Sequence, residues 1–453
     1  MSEQALTAQI NLCMERTGVP GVAVGLLQQK AGESIEETIG VGYTNRDHPL
    51  PVLPDTLFQI GSITKTMTAT LAMRLVEQGK LDLDMPIRHY LPTLWLQDAH
   101  AMTNATLRHL FTHTGGWVGD YFADTGRGED ALAQYVANMA DLPQLAPLGA
   151  LWSYNNAGFS LAGRVIEAVT GQPFETVAQE LLLAPLGMTM SFFFSEDVMP
   201  HRFAVGHTVT PTETTVATPW ALRRSAHPAG GVTATVQDML RYARFHLNEG
   251  RTASGEQLMQ PATIAAMQVR QAEAGSMADG VGISWLLNTI AGVPLISHGG
   301  ATNGQIAQLT LAPSRGFALV ILTNANRGRE VTRDLTNWAL AHYLDLQQPP
   351  LHHQSLTAEA LQPYTGYYTA QLSDVAITSA DGGLVLQVIP KGGFPDKNSP
   401  PSPQPPPAPA RFFEHDRVVI TDGPTKEAKC EFVRDEQGAL RWFRVGGRLH
   451  RRQ

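Results

Sequence analysis

Phe58-Gln-Ile-Gly-Ser-Ile-Thr-Lys-Thr66 is the stretch that decides how this chain is read. Upstream, Thr56 to Ile60 is apolar and extended in character. Downstream, Thr66 to Gln78 carries apolar residues at helical spacing and stops at Gly79, a residue suited to a helix C-terminus. This pattern predicts Ser62 at the N-terminus of a helix, where unpaired N–H groups and the helix dipole favour developing negative charge. Lys65, three residues on, shares that helical face one turn later. A serine hydroxyl is too weak an acid to attack a carbonyl unaided, and a neighbouring amine can take its proton. Alone, Ser-x-x-Lys is often just a helix start; its order among other elements gives it weight.

Two such elements follow. Trp152-Ser-Tyr-Asn-Asn-Ala-Gly158 places Tyr154-Asn155-Asn156 directly ahead of a helical run from Ala157 to Val169, with Tyr154 92 residues beyond Ser62. Ser297-His-Gly-Gly-Ala301 lies between the β-like stretches Val293 to Ile296 and Gln305 to Leu311, with His298 144 residues beyond Tyr154. A second Tyr-x-Asn, Tyr43-Thr44-Asn45, precedes the serine in a hairpin and stands outside the ordered set.

The ordered trio resembles the penicillin-recognising serine hydrolases, in particular the class C β-lactamase-like branch with its esterases and D-amino-acid peptidases. The phrases Val19-Pro-Gly-Val-Ala-Val24, Leu107-Arg-His-Leu-Phe-Thr-His-Thr-Gly115 and Asn156-Ala-Gly-Phe-Ser-Leu-Ala-Gly163 extend the likeness over about residues 5 to 345. The resemblance implies a covalent acyl-enzyme. Ser62 would be the nucleophile, Lys65 and Tyr154 would handle its proton, and Asn156 would bond Lys65 or the substrate amide. The N–H groups of Ser62 and Ala301 would form the oxyanion hole. Gly299 and Gly300, lacking side chains, let a strand edge come close to the acyl group. The third motif departs from the pattern, since many relatives have Lys-Thr-Gly where this chain has His298-Gly299-Gly300. An imidazole, with a pKa of about 6.5, is mostly uncharged at neutral pH. That turns the expectation from β-lactams toward carboxylic esters, small amides or peptides, including D-amino-acid peptides. The alternatives are a β-lactamase, a transacylase or peptide cyclase, and a non-catalytic receptor or assembly protein. The intact Ser62, Lys65 and Tyr154 argue against the last.

The 453 residues exceed one ordinary domain, with 43% hydrophobic and only 16% charged residues. A net charge of −8 argues against nucleic acid or an anionic membrane as partner and does not identify a substrate; the small-molecule ester, amide or peptide is what the resemblance implies. No stretch approaches the roughly 20 apolar residues that span a bilayer. The N-terminus is too polar for a signal peptide and reads as an amphipathic helix, so a cytoplasmic location is expected. Cys13 and Cys430 read as free buried thiols. His109 and His113 are four apart but lack a third ligand, and no metal or cofactor is expected.

The expected fold is α/β in the α+β sense, a β-lactamase/transpeptidase-like antiparallel sheet flanked by helices. Residues 1–346 would form the catalytic domain, 347–356 a linker, and 357–453 a small all-β domain. The last resembles the lipocalin-like barrel found in some members of the family. Ser399 to Pro409 reads as a polyproline loop between two strands, and Pro228-Ala-Gly-Gly231 as a flexible joint. Trp117 and Tyr121, in a Gly-rich stretch, are candidates for the cleft wall. Among Arg441, Arg444 and Arg448, one could reach back to a substrate carboxylate.

Overall fold

The computed structural model describes residues 3–30 and 33–453. Strands β1 (Gly21–Lys30), β2 (Glu33–Gly42), β3 (Gly280–Val281), β4 (Leu286–Ile290), β5 (Val293–Thr302), β6 (Gln305–Ala312) and β7 (Phe317–Thr323) form one antiparallel sheet in the order β2-β1-β7-β6-β5-β4-β3. Successive residues of a strand face opposite sides, and here the two sides meet separate cores. Val22, Val24, Leu26, Leu319 and Ile321 pack with Leu6, Ile10, Val331 and Leu335 of helices α1 (Glu3–Thr17) and α5 (Gly328–Leu344). The terminal helices thus share one face, as expected. Ala23, Leu27, Val320 and Leu322 face the larger core, which contains α2 (Thr64–Glu77), α3 (Asn156–Thr170) and α4 (Val236–Leu247).

Helix α2 differs from an amphipathic helix. From Thr64 to Met73 every residue is buried, including Lys65. Its threonines are tied internally or across the core. Thr66 Oγ1 and Thr70 Oγ1 donate back to Ile63 and Thr66 carbonyls at 2.8 Å, and Thr68 Oγ1 donates to Pro228 O at 2.7 Å. A polar sequence can therefore run through the protein interior without orphaned hydroxyls.

Beyond residue 365, strands β8 (Gly366–Thr369), β9 (Ser373–Ala380), β10 (Gly383–Pro390), β11 (Ala408–Glu414), β12 (Arg417–Ile420), β13 (Lys429–Arg434), β14 (Leu440–Val445) and β15 (Arg448–Arg452) close into an antiparallel barrel. Tyr368, Phe412, Phe432 and Phe443 pack in its core, the last two with ring centroids 4.7 Å apart. The proline-rich stretch is a loop between β10 and β11, but its last residues, Ala408 and Pro409, enter β11. A proline is tolerated at a strand's beginning, where the ladder has barely formed. Both cysteines are free and buried. Among the described residues no helix is long and apolar enough to cross a membrane, and no group of three metal-ligating side chains occurs.

Candidate active site

Ser62 lies in a 3₁₀ turn, Gly61–Ile63, that runs straight into α2. The carbonyl of Ile60 faces β5 so closely that a Cβ on Gly300 would lie 1.9 Å from it, and a Cβ on Gly61 would lie 2.7 Å from the Ala301 nitrogen. The bare backbone at these two positions lets the strand edge press against the turn that carries Ser62. Gly300→Ala should therefore force the two apart and cost about 1–3 kcal/mol of stability, measured by chemical denaturation.

Lys65 Nζ lies 3.0 Å from Ser62 Oγ, 2.7 Å from Asn156 Oδ1 and 2.5 Å from the Ala229 carbonyl oxygen. Burial lowers its pKa well below the ordinary amine value. The charge of Arg448 adds to that shift and Asp120 opposes it. Two of the amine's three directions are taken by oxygens that can only accept. In the neutral form the remaining lone pair faces the Ser62 hydroxyl. Tyr154, 6% exposed, places its ring 5.0 Å from Lys65 Nζ. Burial pushes its phenol up to about 12, against contact with Ser62 and the charge of Arg448, so it is protonated at neutral pH.

Local sequence explains how these groups are held. Asn155 caps α3, its Oδ1 accepting from Gly158 N at 2.8 Å, which starts the helix at Asn156. His113 Nδ1 accepts from Asn155 N at 2.9 Å and stacks on Tyr154 at 4.4 Å. His109 Nδ1 accepts from Thr106 N in a capping box. Both histidines have structural partners. The Pro228–Gly231 joint is not an open hinge: residues His227–Gly230 form a helical turn pinned by Glu175. His227 Nδ1 and Arg224 Nη2 donate to the Glu175 carboxylate at 2.6 and 3.0 Å. Burial favours protonated Glu175, yet these bonds outweigh it and bring its pKa down to about 2.

His298, Gly299, Gly300, Ala301, Ser62, Tyr154, Asn156 and Tyr121 all border one cavity of about 380 Å³. Trp117 does not. It is 2% exposed and packs in the larger core, its carbonyl accepting from Asn155 Nδ2 at 3.0 Å. His298 Nδ1 lies 2.7 Å from the Gly299 carbonyl, so Nδ1 carries the proton and Nε2 is a buried acceptor with no partner. Burial and the neighbouring Lys65 bring its pKa down to about 3. The residue is neutral, as expected, but its free atom accepts rather than donates.

The sequence reading missed Asp120, Ala229, Arg329 and Phe394. Asn156 Nδ2 donates to Asp120 Oδ1 at 2.8 Å, and Arg448 of the barrel donates to the same carboxylate at 3.1 and 3.3 Å. The Arg448 guanidinium sits 4.6 Å from the Tyr154 ring. The barrel's hairpin also holds the Tyr-x-Asn segment directly: Tyr154 N donates to Gly447 O at 2.8 Å and Arg444 Nε donates to Trp152 O at 3.0 Å. Arg441 instead pairs with Asp435 within the barrel. Arg329, just inside α5, borders the cavity with no hydrogen-bond or ion-pair partner among the described residues. The positive charge absent at position 298 is thus supplied from α5 and from the barrel. A proximity of this kind has no signal in local sequence.

An antiparallel sheet flanked by helices, with a serine and a buried lysine meeting at its edge, defines a class of serine-centred hydrolase folds. The chain belongs to the Beta-lactamase family, which residues 6–343 match. It is 35% identical to Penicillin-binding protein 4 of Amycolatopsis lactamdurans over 339 residues, 73% of this chain and 87% of that protein. It is 33% identical to Esterase EstB of Burkholderia gladioli over 178 residues, 36% of this chain and 45% of that protein. Barrel included, it is similar to the crystal structure of SurE with D-Leu, with a TM-score of 0.73, 26% identity and 99% coverage of each chain.

Proposed function

We propose that the protein is a serine acyl-enzyme hydrolase of carboxylic esters, small amides and peptides, including those with D-amino acids. The observation that carries this reading is the buried Lys65 amine between Ser62, Asn156 and Ala229. Neutral Lys65 takes the Ser62 proton as Oγ attacks the carbonyl carbon, and the N–H groups of Ser62 and Ala301 stabilise the oxyanion. Protonated Tyr154 then gives its proton to the leaving group and regains one from the charged Lys65; water, losing its proton to Lys65, attacks the acyl carbon, and Ser62 Oγ leaves with that proton. His298 Nε2 accepts a substrate N–H.

Ser62→Ala should abolish turnover, with a loss on the order of 10⁶, as for a nucleophile removed from a comparable triad. A fluorophosphonate should add its mass to the wild type and not to this variant, as read by intact-mass spectrometry; labelling elsewhere refutes the assignment. Lys65→Arg should be nearly inactive, because a guanidinium does not give up its proton.

If neutral Lys65 is the base, activity appears as pH rises through its lowered pKa. The charge of Arg448 depresses that pKa and the charge of Asp120 raises it. In kcat/KM profiles, Arg448→Gln should move the acid limb to higher pH and Asp120→Asn to lower pH. Limbs that stay fixed in both variants exclude Lys65 as the titrating base.

Acyl transfer is a second reading, supported by the full-length likeness to SurE with D-Leu and by cationic Arg329 and Arg448 on the cavity. Those charges suit an acceptor amino acid's carboxylate. They also remove the reason, drawn from His298 alone, to expect weak binding of anionic substrates. With a short p-nitrophenyl ester as donor, D-Leu should raise the ratio of aminolysis to hydrolysis products more than L-Leu does, as quantified by chromatography. A ratio indifferent to both amino acids leaves hydrolysis as the activity.

A further inference from the structure

A second cavity of about 260 Å³ adjoins the first, and the two share Leu222, Arg223 and Pro395 as common wall. Its lining includes Phe193, Phe194 and three arginines. Two of these are committed to carboxylates: Arg127 Nη2 donates to Glu196 at 2.7 Å, and Arg224 donates to Glu175. Arg223 has no hydrogen-bond or ion-pair partner among the described residues. Its guanidinium carbon lies 4.9 Å from the centroid of the Phe122 ring. Burial lowers its pKa from the ordinary arginine value, which marks a charge short of solvent. Over this junction Phe394, from the barrel's proline-rich loop, meets Phe122 edge to face with centroids 5.2 Å apart. Phe122 and Phe394 both border the first cavity, so the two regions of the chain together form its wall beside Arg223.

We propose that the outer chamber is a distal subsite for the acyl donor, which is a peptidyl chain of at least two residues. The chain runs over the touching Phe122–Phe394 pair to the shared wall, and Arg223 donates to a main-chain carbonyl oxygen beyond the acylated residue. A half-buried guanidinium with no bonded partner, near the carboxylates of Asp124 and Asp396 that line the same chamber, has N–H donors left to offer such an oxygen. Its planar fork of donors beside the Phe122 ring is an arrangement that a lysine's single ammonium could not reproduce. This proposal rests on the acyl-enzyme reading above.

The test compares two p-nitrophenyl esters, acetate and an N-acetyl-dipeptide, on the full chain. The measured quantity is the ratio of kcat/KM for the dipeptidyl ester to that for the acetate. Arg223→Ala should lower this ratio about tenfold, the size expected for losing one hydrogen bond from a charged donor. Arg223→Lys should recover only part of it, and Phe394→Ala should lower it mainly through KM. Equal losses on both esters, or no change in the ratio for either Arg223 variant, overturn the subsite. Intact-mass detection of acylated Ser62 in the wild type separates the two levels. If both esters acylate Ser62 and the ratio does not move, the subsite alone is wrong. If neither ester acylates Ser62, the acyl-enzyme reading fails and the subsite falls with it.

Discussion

Burying one amine constrains most of this structure. Lys65 has no exposed surface, and an amine in such surroundings needs a partner in every direction in which it holds a proton. The acceptors come from three separate segments: the 3₁₀ turn with Ser62, the start of α3 with Asn156, and the helical turn with Ala229. Each segment has its own anchor, one local and two from distant parts of the chain. Asn155 caps α3, Glu175 ties down Arg224 and His227, and the strand edge at Gly300 backs the turn. The site is rigid because satisfying the amine requires all of them at once.

From Asn156 the same chain of contacts leaves the β-lactamase-like part of the molecule. Asp120 joins Asn156 to Arg448, and Arg448 belongs to the last strand of the barrel. The barrel's core is packed with aromatic side chains, so its contribution is at its rim. One hairpin holds the backbone of Trp152 and Tyr154, and another loop brings Phe394 over the cavity. A cation at Arg448 also favours the neutral form of Lys65, since two positive charges close together in a poorly solvated site repel. The barrel thereby acts on the electrostatics of the nucleophile without touching it.

The parts that were legible in the sequence are those set by local pattern. Continuous apolar runs in Val22 to Leu27 and Phe317 to Thr323 mark strands buried on both faces, Asn155 and Gly171 bracket α3, and the trio order brings Ser62, Tyr154 and His298 to one cavity with Lys65 beneath Ser62. Burial on both sides of α2 was not legible, because threonines at helix-facing positions look like a solvated surface until Tyr242 and Pro228 are placed against them. Trp117 read as a cleft residue because glycines surround it, yet those glycines let the ring turn inward, with Gly115 packed on its face. Ala229, Asp120 and Arg329 act through a backbone carbonyl, a relay and an unpaired charge, none of which leaves a motif. His298 was legible as neutral, but its tautomer depends on the Gly299 carbonyl and so on the strand's conformation.

Hydrolysis and acyl transfer share every step up to the acyl-enzyme, so the groups around Ser62 cannot distinguish them. What differs is the environment that the second nucleophile meets. Leu372, Phe394, Pro395 and Arg448 of the barrel contribute to the cavity wall, replacing bulk water there with apolar surface and one fixed cation. An amine that arrives with a carboxylate gains from Arg448 and Arg329, whereas water gains nothing from either. The amine must also be neutral to attack, and a buried site with several cations favours the neutral form for the same reason that it favours neutral Lys65. The physical feature that would activate the serine would therefore also activate an amino-group acceptor, and the two proposed functions share one electrostatic cause.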